Sequence, residues 1–133
     1  MAASKDSLRR AIWLGGAFAL CFLAGGWSFW KGSYQEYLQS GFHWDTVALL
    51  AGAAILLAWF TDIRLILIVV CVGAAFPAII AVRVVMDGLQ DPTDHNLWPF
   101  EVGLACAFGM IAALLPASAV RLVRRLTTRR NEG

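Results

Sequence analysis

Charge is what this chain has least of. Only 15% of its 133 residues are Asp, Glu, Lys or Arg, against 59% that are apolar, whereas an ordinary soluble domain is about a quarter charged. Cysteine, proline and histidine are scarce too, at three, four and two residues. Each shortage excludes something. So few cysteines, none in a Cys-x-x-Cys pair, cannot knit a secreted disulfide module. So little polar sequence does not make a disordered tail, and a formal charge of +2 is no basis for a nucleic-acid binder. The length leaves no room for a two-domain enzyme. What is abundant is Leu, Ile, Val and Ala, the composition of a membrane protein, with no strong catalytic, nucleotide or metal signature.

Hydrocarbon about 30 Å thick takes roughly 20 helical residues to cross, and the cost of unpaired backbone groups restricts crossing segments to helices or closed barrels. Four segments qualify as spans, and none alternates as a barrel strand would: 11–30, without a charge; 44–61, centred on Val47 to Phe60; 65–86, interrupted by Arg83; and 99–120, with Glu101 near its start. Small residues recur four apart, as Gly15 with Ala19, Ala17 with Cys21 and Gly25, Ala48 with Gly52, and Ala105 with Gly109 and Ala113. This spacing lets helices approach closely in lipid. The expected fold is an all-α integral membrane four-helix bundle, one domain over 1–133, with a basic tail at 121–133.

Lys and Arg accumulate on cytoplasmic flanks. Lys5, Arg9 and Arg10 precede the first span, Arg64 lies between the second and third, and Arg121, Arg124, Arg125, Arg129 and Arg130 follow the fourth. The other side has Lys31 and Arg83 among Glu36, Asp45, Asp87, Asp91, Asp94 and Glu101. Both termini are therefore expected in the cytoplasm. A cleavable signal peptide ending near Ala24, Gly25 and Gly26 fits less well, because the apolar run continues through Trp27, Phe29 and Trp30. Trp30, Trp44 and Trp98 on one side, and Trp13 and Trp59 on the other, fall at the borders that amphipathic rings prefer.

The short connection from Trp59 to Leu65 makes spans two and three a hairpin, with Thr61 or Asp62 placed to cap the first amides of span three. Pro77 predicts a bend, and Pro116 a lesser one near the cytoplasmic end. The stretch from Lys31 to Asp45 reads as a short helix on the membrane surface with a ragged apolar stripe.

Three places could carry chemistry. The turn between spans three and four is the densest in ionisable groups, and Asp91, Asp94, His95 and Glu101 are candidate ligands for zinc or another divalent ion. The same residues are equally turn formers and a helix-start acid, with Pro99 at a first helical position. Secondly, a charge within a span has to snorkel or pair, so Arg83 and Glu101 are expected to form an ion pair that Asp87 could join. Thirdly, Arg121, Arg124, Arg125, Arg129 and Arg130 extend span four as a basic amphipathic helix suited to anionic lipid. Bis-imidazole haem ligation by His43 and His95 is disfavoured, since neither hangs from a helix inside the bundle. The cysteines lie at different depths and read as small buried hydrophobes.

The run Asp91-Pro92-Thr93-Asp94-His95-Asn96-Leu97-Trp98-Pro99-Phe100-Glu101 resembles a segment of small four-span bacterial inner-membrane proteins of no assigned function. That resemblance implies a bacterial inner membrane and no activity. A small multidrug-resistance transporter would need a glutamate in its first span, and 11–30 has none. The expected role is that of a non-enzymatic structural or accessory subunit without a cofactor. Its partners would be membrane lipids and either further copies or a membrane complex, not nucleic acid. A homo-oligomeric cation transporter or channel gated by Arg83 and Glu101, and a metal site on the acidic turn, are the alternatives.

Overall fold

The apolar runs fold into helices because a backbone surrounded by hydrocarbon has only itself to bond to. The computed structural model describes residues 2–31, 44–89 and 97–130, and every regular element among them is helical. Helix α1 is Ala2–Lys31, α2 Trp44–Phe60, α3 Leu65–Gly73, α4 Ala75–Gly88 and α5 Trp98–Arg130. Helices α3 and α4 continue one another as a single rod, Leu65–Gly88, so the described residues form four rods.

The bend predicted at Pro77 appears one turn earlier, at Ala74. Proline has no N–H to offer the carbonyl four residues back, that of Gly73, and its ring crowds that carbonyl. Ala74 N still donates to Val70 O at 3.0 Å and Ala78 N to Ala74 O at 3.2 Å, so the helix resumes immediately. Pro116, by contrast, sits inside the uninterrupted α5.

Rods consecutive in the chain run antiparallel, so α1 and the α3–α4 rod lie side by side in parallel. Cys71 Sγ donates to Leu14 O at 3.4 Å, Cys21 Sγ faces Leu49 O at 3.9 Å, and Trp30 Nε1 reaches Ile79 O at 3.4 Å. Both described extremities, Ala2 and Arg130, therefore lie at the same end as the α2–α3 turn; this is the terminal end. The opposite, loop end holds Lys31, Trp44, Gly88 and Trp98.

Small residues decide how tightly the rods cross. Ala105, Gly109, Ala113 and Ala117 form a buried stripe along α5. A Cβ on Gly73 would lie 3.0 Å from Gly109 O, and one on Gly109 would overlap Gly73 O outright. The carbonyl that Pro77 leaves without a helical donor is thus pressed against bare backbone, an approach only glycine allows. At Gly25 three rods converge, since a Cβ there would be 3.2 Å from both Ile79 Cδ1 and Thr46 Cγ2. The two other small-residue pairs turn outward: Gly15, Ala19 and Ala48 are exposed, and nothing lies within 4 Å of a Cβ on Gly52.

Three rods, Lys5–Lys31, Leu65–Gly88 and Trp98–Arg130, are long and apolar enough to cross a membrane. The fourth, α2, has 17 residues and measures about 25 Å, short of a full hydrocarbon core. The four expected spans are therefore three of full length and one short one. Leu20, Leu23, Trp27, Leu56, Ile66 and Leu115 point away from the bundle, each more than half exposed. An apolar exterior of this extent is far beyond what a water-soluble monomer presents; it is the surface of a membrane protein.

Candidate functional site

A helix ends with four carbonyls that have no internal donor. Where such an end meets other protein in an apolar setting, a cation that both hydrogen-bonds those oxygens and opposes the helix dipole is favoured. The bundle meets this need at both ends with arginine.

At the loop end, Arg83 of α4 is 9% exposed. Its Nη1 donates to Phe29 O, among the last carbonyls of α1, at 2.9 Å. Its Nε donates to Asp87 Oδ2 at 2.6 Å, one turn along the same helix, with the two side chains 10% and 12% exposed. The guanidinium is thus held between a neutral helix end and a carboxylate, with little water. Glu101 stands in the first turn of α5, half-buried. Measured from the Gly73–Gly109 crossing, Arg83 and Glu101 are displaced about 15 Å and about 12 Å toward this same end. Asp87, expected as a third member of an Arg83–Glu101 pair, is the carboxylate at 2.6 Å from Arg83.

Trp30 departs from its expected place at the interface. Its ring folds back over Gly26, where a Cβ would lie 2.5 Å from it, and meets Phe22 edge-on at 5.2 Å. Burial of the ring together with a carbonyl acceptor outweighs the interfacial position here. Trp44, Trp59 and Trp98 remain exposed at the ends of their helices, and Trp13 is exposed about three turns into α1. Lys31 Nζ lies 4.2 Å above the Trp27 ring.

At the terminal end, Arg121 Nη2 donates to Ile63 O and, at 3.3 Å, to Thr61 O. Arg124 Nη1 donates to Ala58 O at 3.0 Å and to Thr61 O at 3.4 Å. Arg124 therefore closes the C-terminus of α2, and Arg121 holds the turn that follows it. Arg124 Nη2 also pairs with Asp62 Oδ1 at 3.4 Å, across side chains 37% and 91% exposed. The expectation that Thr61 or Asp62 caps span three is corrected: Thr61 Oγ1 donates backward to Leu57 O at 2.5 Å, Asp62 turns to Arg124, and α3 starts at Arg64 with no side-chain cap. Thr61 and Asp62 are thus engaged toward α2 and α5 instead, with Arg124 reaching the α2 carbonyl of Ala58.

Of the expected lipid-contacting set, Arg121 and Arg124 thus spend their donors on protein carbonyls, while Arg125, Arg129 and Arg130 are exposed. Of the metal-ligand set, Asp91, Asp94 and His95 lie outside the described residues, as do His43 and the stretch 32–43; only Glu101 is placed. Among the described residues no three His, Cys, Asp or Glu side chains gather as a metal site would require. All three cysteines are free thiols.

The Arg83–Asp87 pair carried a readable signal, opposite charges four apart on one helix. Capping by Arg121 and Arg124 did not, because nothing local marks which carbonyls a distant side chain meets. Among known protein families, curated proteins and solved structures, none matches this chain.

Proposed function

We propose that the protein is a non-enzymatic accessory subunit of a bacterial inner membrane, crossing it four times with both termini in the cytoplasm and associating with membrane partners and lipids. One observation carries this reading: the described charges deepest in the bundle, Arg83 and Asp87 at one end and Arg121 and Arg124 at the other, are committed to helix ends and to one another. Between those ends the rods meet through small residues at van der Waals distance. Such a bundle offers its outer surface rather than an interior path. The apolar girdle and the basic terminal end are then what it presents to partners and lipid. The excess of Lys and Arg at the terminal end supports the cytoplasmic assignment, and the resemblance of the 91–101 segment supports the bacterial inner membrane.

Topology is tested by cysteine labelling in a variant lacking the three native thiols. A membrane-impermeant maleimide applied to intact cells should modify His95→Cys and leave Arg125→Cys unlabelled until the cells are opened; labelling of both from outside would reject the orientation. The accessory role is tested by gentle-detergent copurification and crosslinking in membranes. A stoichiometric membrane partner is expected, and a solitary monomer by both methods would reject it.

A further inference from the structure

We propose that the terminal end holds one anionic phospholipid in a groove between the α2–α3 turn and the last three turns of α5. The proposal rests on the membrane placement above and goes beyond general lipid contact by assigning a site. The groove has a volume of about 600 Å³, and its walls include Asp62, Arg121, Leu122, Arg125, Leu126 and Arg129. Two kinds of surface are combined there. Leu122 and Leu126 are 59% and 58% exposed, far along a helix whose 33 residues span about 50 Å, well beyond a hydrocarbon core of about 30 Å. Apolar side chains at that height are satisfied by an acyl chain or glycerol backbone rising beside them.

Arg125 and Arg129 stand one turn apart on the same helix, and neither has a hydrogen-bond or ion-pair partner among the described residues. Arg121 is already fixed by Thr61 O and Ile63 O, so one wall of the groove is preorganised. A phosphodiester accepts from guanidinium donors in the way a carboxylate does. Among the described residues that line the groove the one acid, Asp62, is partly neutralised by Arg124 at 3.4 Å. Charge selects an anion and the leucines select one with an apolar body, so a lipid fits both walls where inorganic phosphate fits one.

Native mass spectrometry of the full chain, released from detergent with added phosphatidylglycerol or phosphatidylcholine, tests this. One phosphatidylglycerol should stay bound under activation that strips phosphatidylcholine. Arg125→Gln with Arg129→Gln should lower its retention on the order of tenfold or more, while Lys5→Gln with Arg130→Gln, an equal change in charge outside the groove, should leave it within about twofold. Asp62→Asn should raise retention more than Asp6→Asn, the same change of charge on α1. Equal retention of the two lipids, equal losses from the two double variants, or displacement by millimolar inorganic phosphate would each overturn the site. Because topology is read separately by labelling, a correctly inserted protein without lipid preference would sink this proposal alone.

Discussion

The two ends of the bundle solve the same problem at different depths. At the loop end one arginine closes α1, and both it and its aspartate are nearly sealed from solvent. At the terminal end Arg124 closes α2 and Arg121 holds the turn after it, and the aspartate beside them is almost wholly exposed. The difference teaches where each end can tolerate change. A buried ion pair contributes little net stability over apolar packing, yet breaking it strands a charge at a cost of about 3–5 kcal/mol. An exposed pair is worth about 0–1 kcal/mol and weakens with salt. The loop end is therefore brittle and the terminal end forgiving, although the second has the greater number of charges.

The largest effect should come from Arg83→Ala, which removes the guanidinium from Asp87 and from Phe29 O. A loss of about 3–5 kcal/mol is expected in detergent unfolding, with much of it recovered when Asp87→Leu is added. If the single and double variants were equally damaged, the pair would not be the brittle element. A cycle of Arg83→Ala with Glu101→Gln sharpens the point: the double variant should be less destabilised than the two single effects added, which would bring Glu101 into the clasp, whereas strict additivity would remove it.

Next in size is the crossing that holds the two ends apart. Gly109→Ala must displace the Gly73 backbone and should cost about 1–3 kcal/mol, while Gly52→Ala, with open space around it, should be neutral or stabilise by up to about 1 kcal/mol. Equal behaviour of the two in thermal unfolding would show that the crossing is looser than the structure places it.

Smaller again is Arg121→Gln, for which a loss of about 1–2 kcal/mol is expected from the released carbonyls of the α2–α3 turn, with faster amide exchange around residues 61–64. The smallest is Asp62→Asn, at most about 1 kcal/mol and erased by high salt. A salt-resistant loss as large as that of Arg83→Ala would break the contrast between the ends.

Much of the architecture was readable before the fold was seen. The positions of the rods, the hairpin at 61–64 and a break caused by Pro77 follow from apolar run length and from proline's missing donor. The site was less legible. Arg83 was recognisable as a charge in need of a partner, and Asp87, one turn along the same helix, provides one. Arg121 and Arg124 looked like further members of a lipid-facing basic stripe, and their reach to α2 depends on a turn so short that its carbonyls stay at the rim of the bundle. Trp30 had the position of an interfacial anchor and packs inward because Gly26 leaves room for its ring.

By itself the sequence determined the helices and the membrane character of the chain, because transfer of apolar side chains and backbone hydrogen bonding within a helix are local quantities that add along a chain. Only the tertiary structure decided which small-residue stripes are buried and which arginines close which helices. A free carbonyl at a helix end is satisfied by whatever donor the packing brings within about 3 Å, and that neighbour lies as many as 66 residues away in the chain.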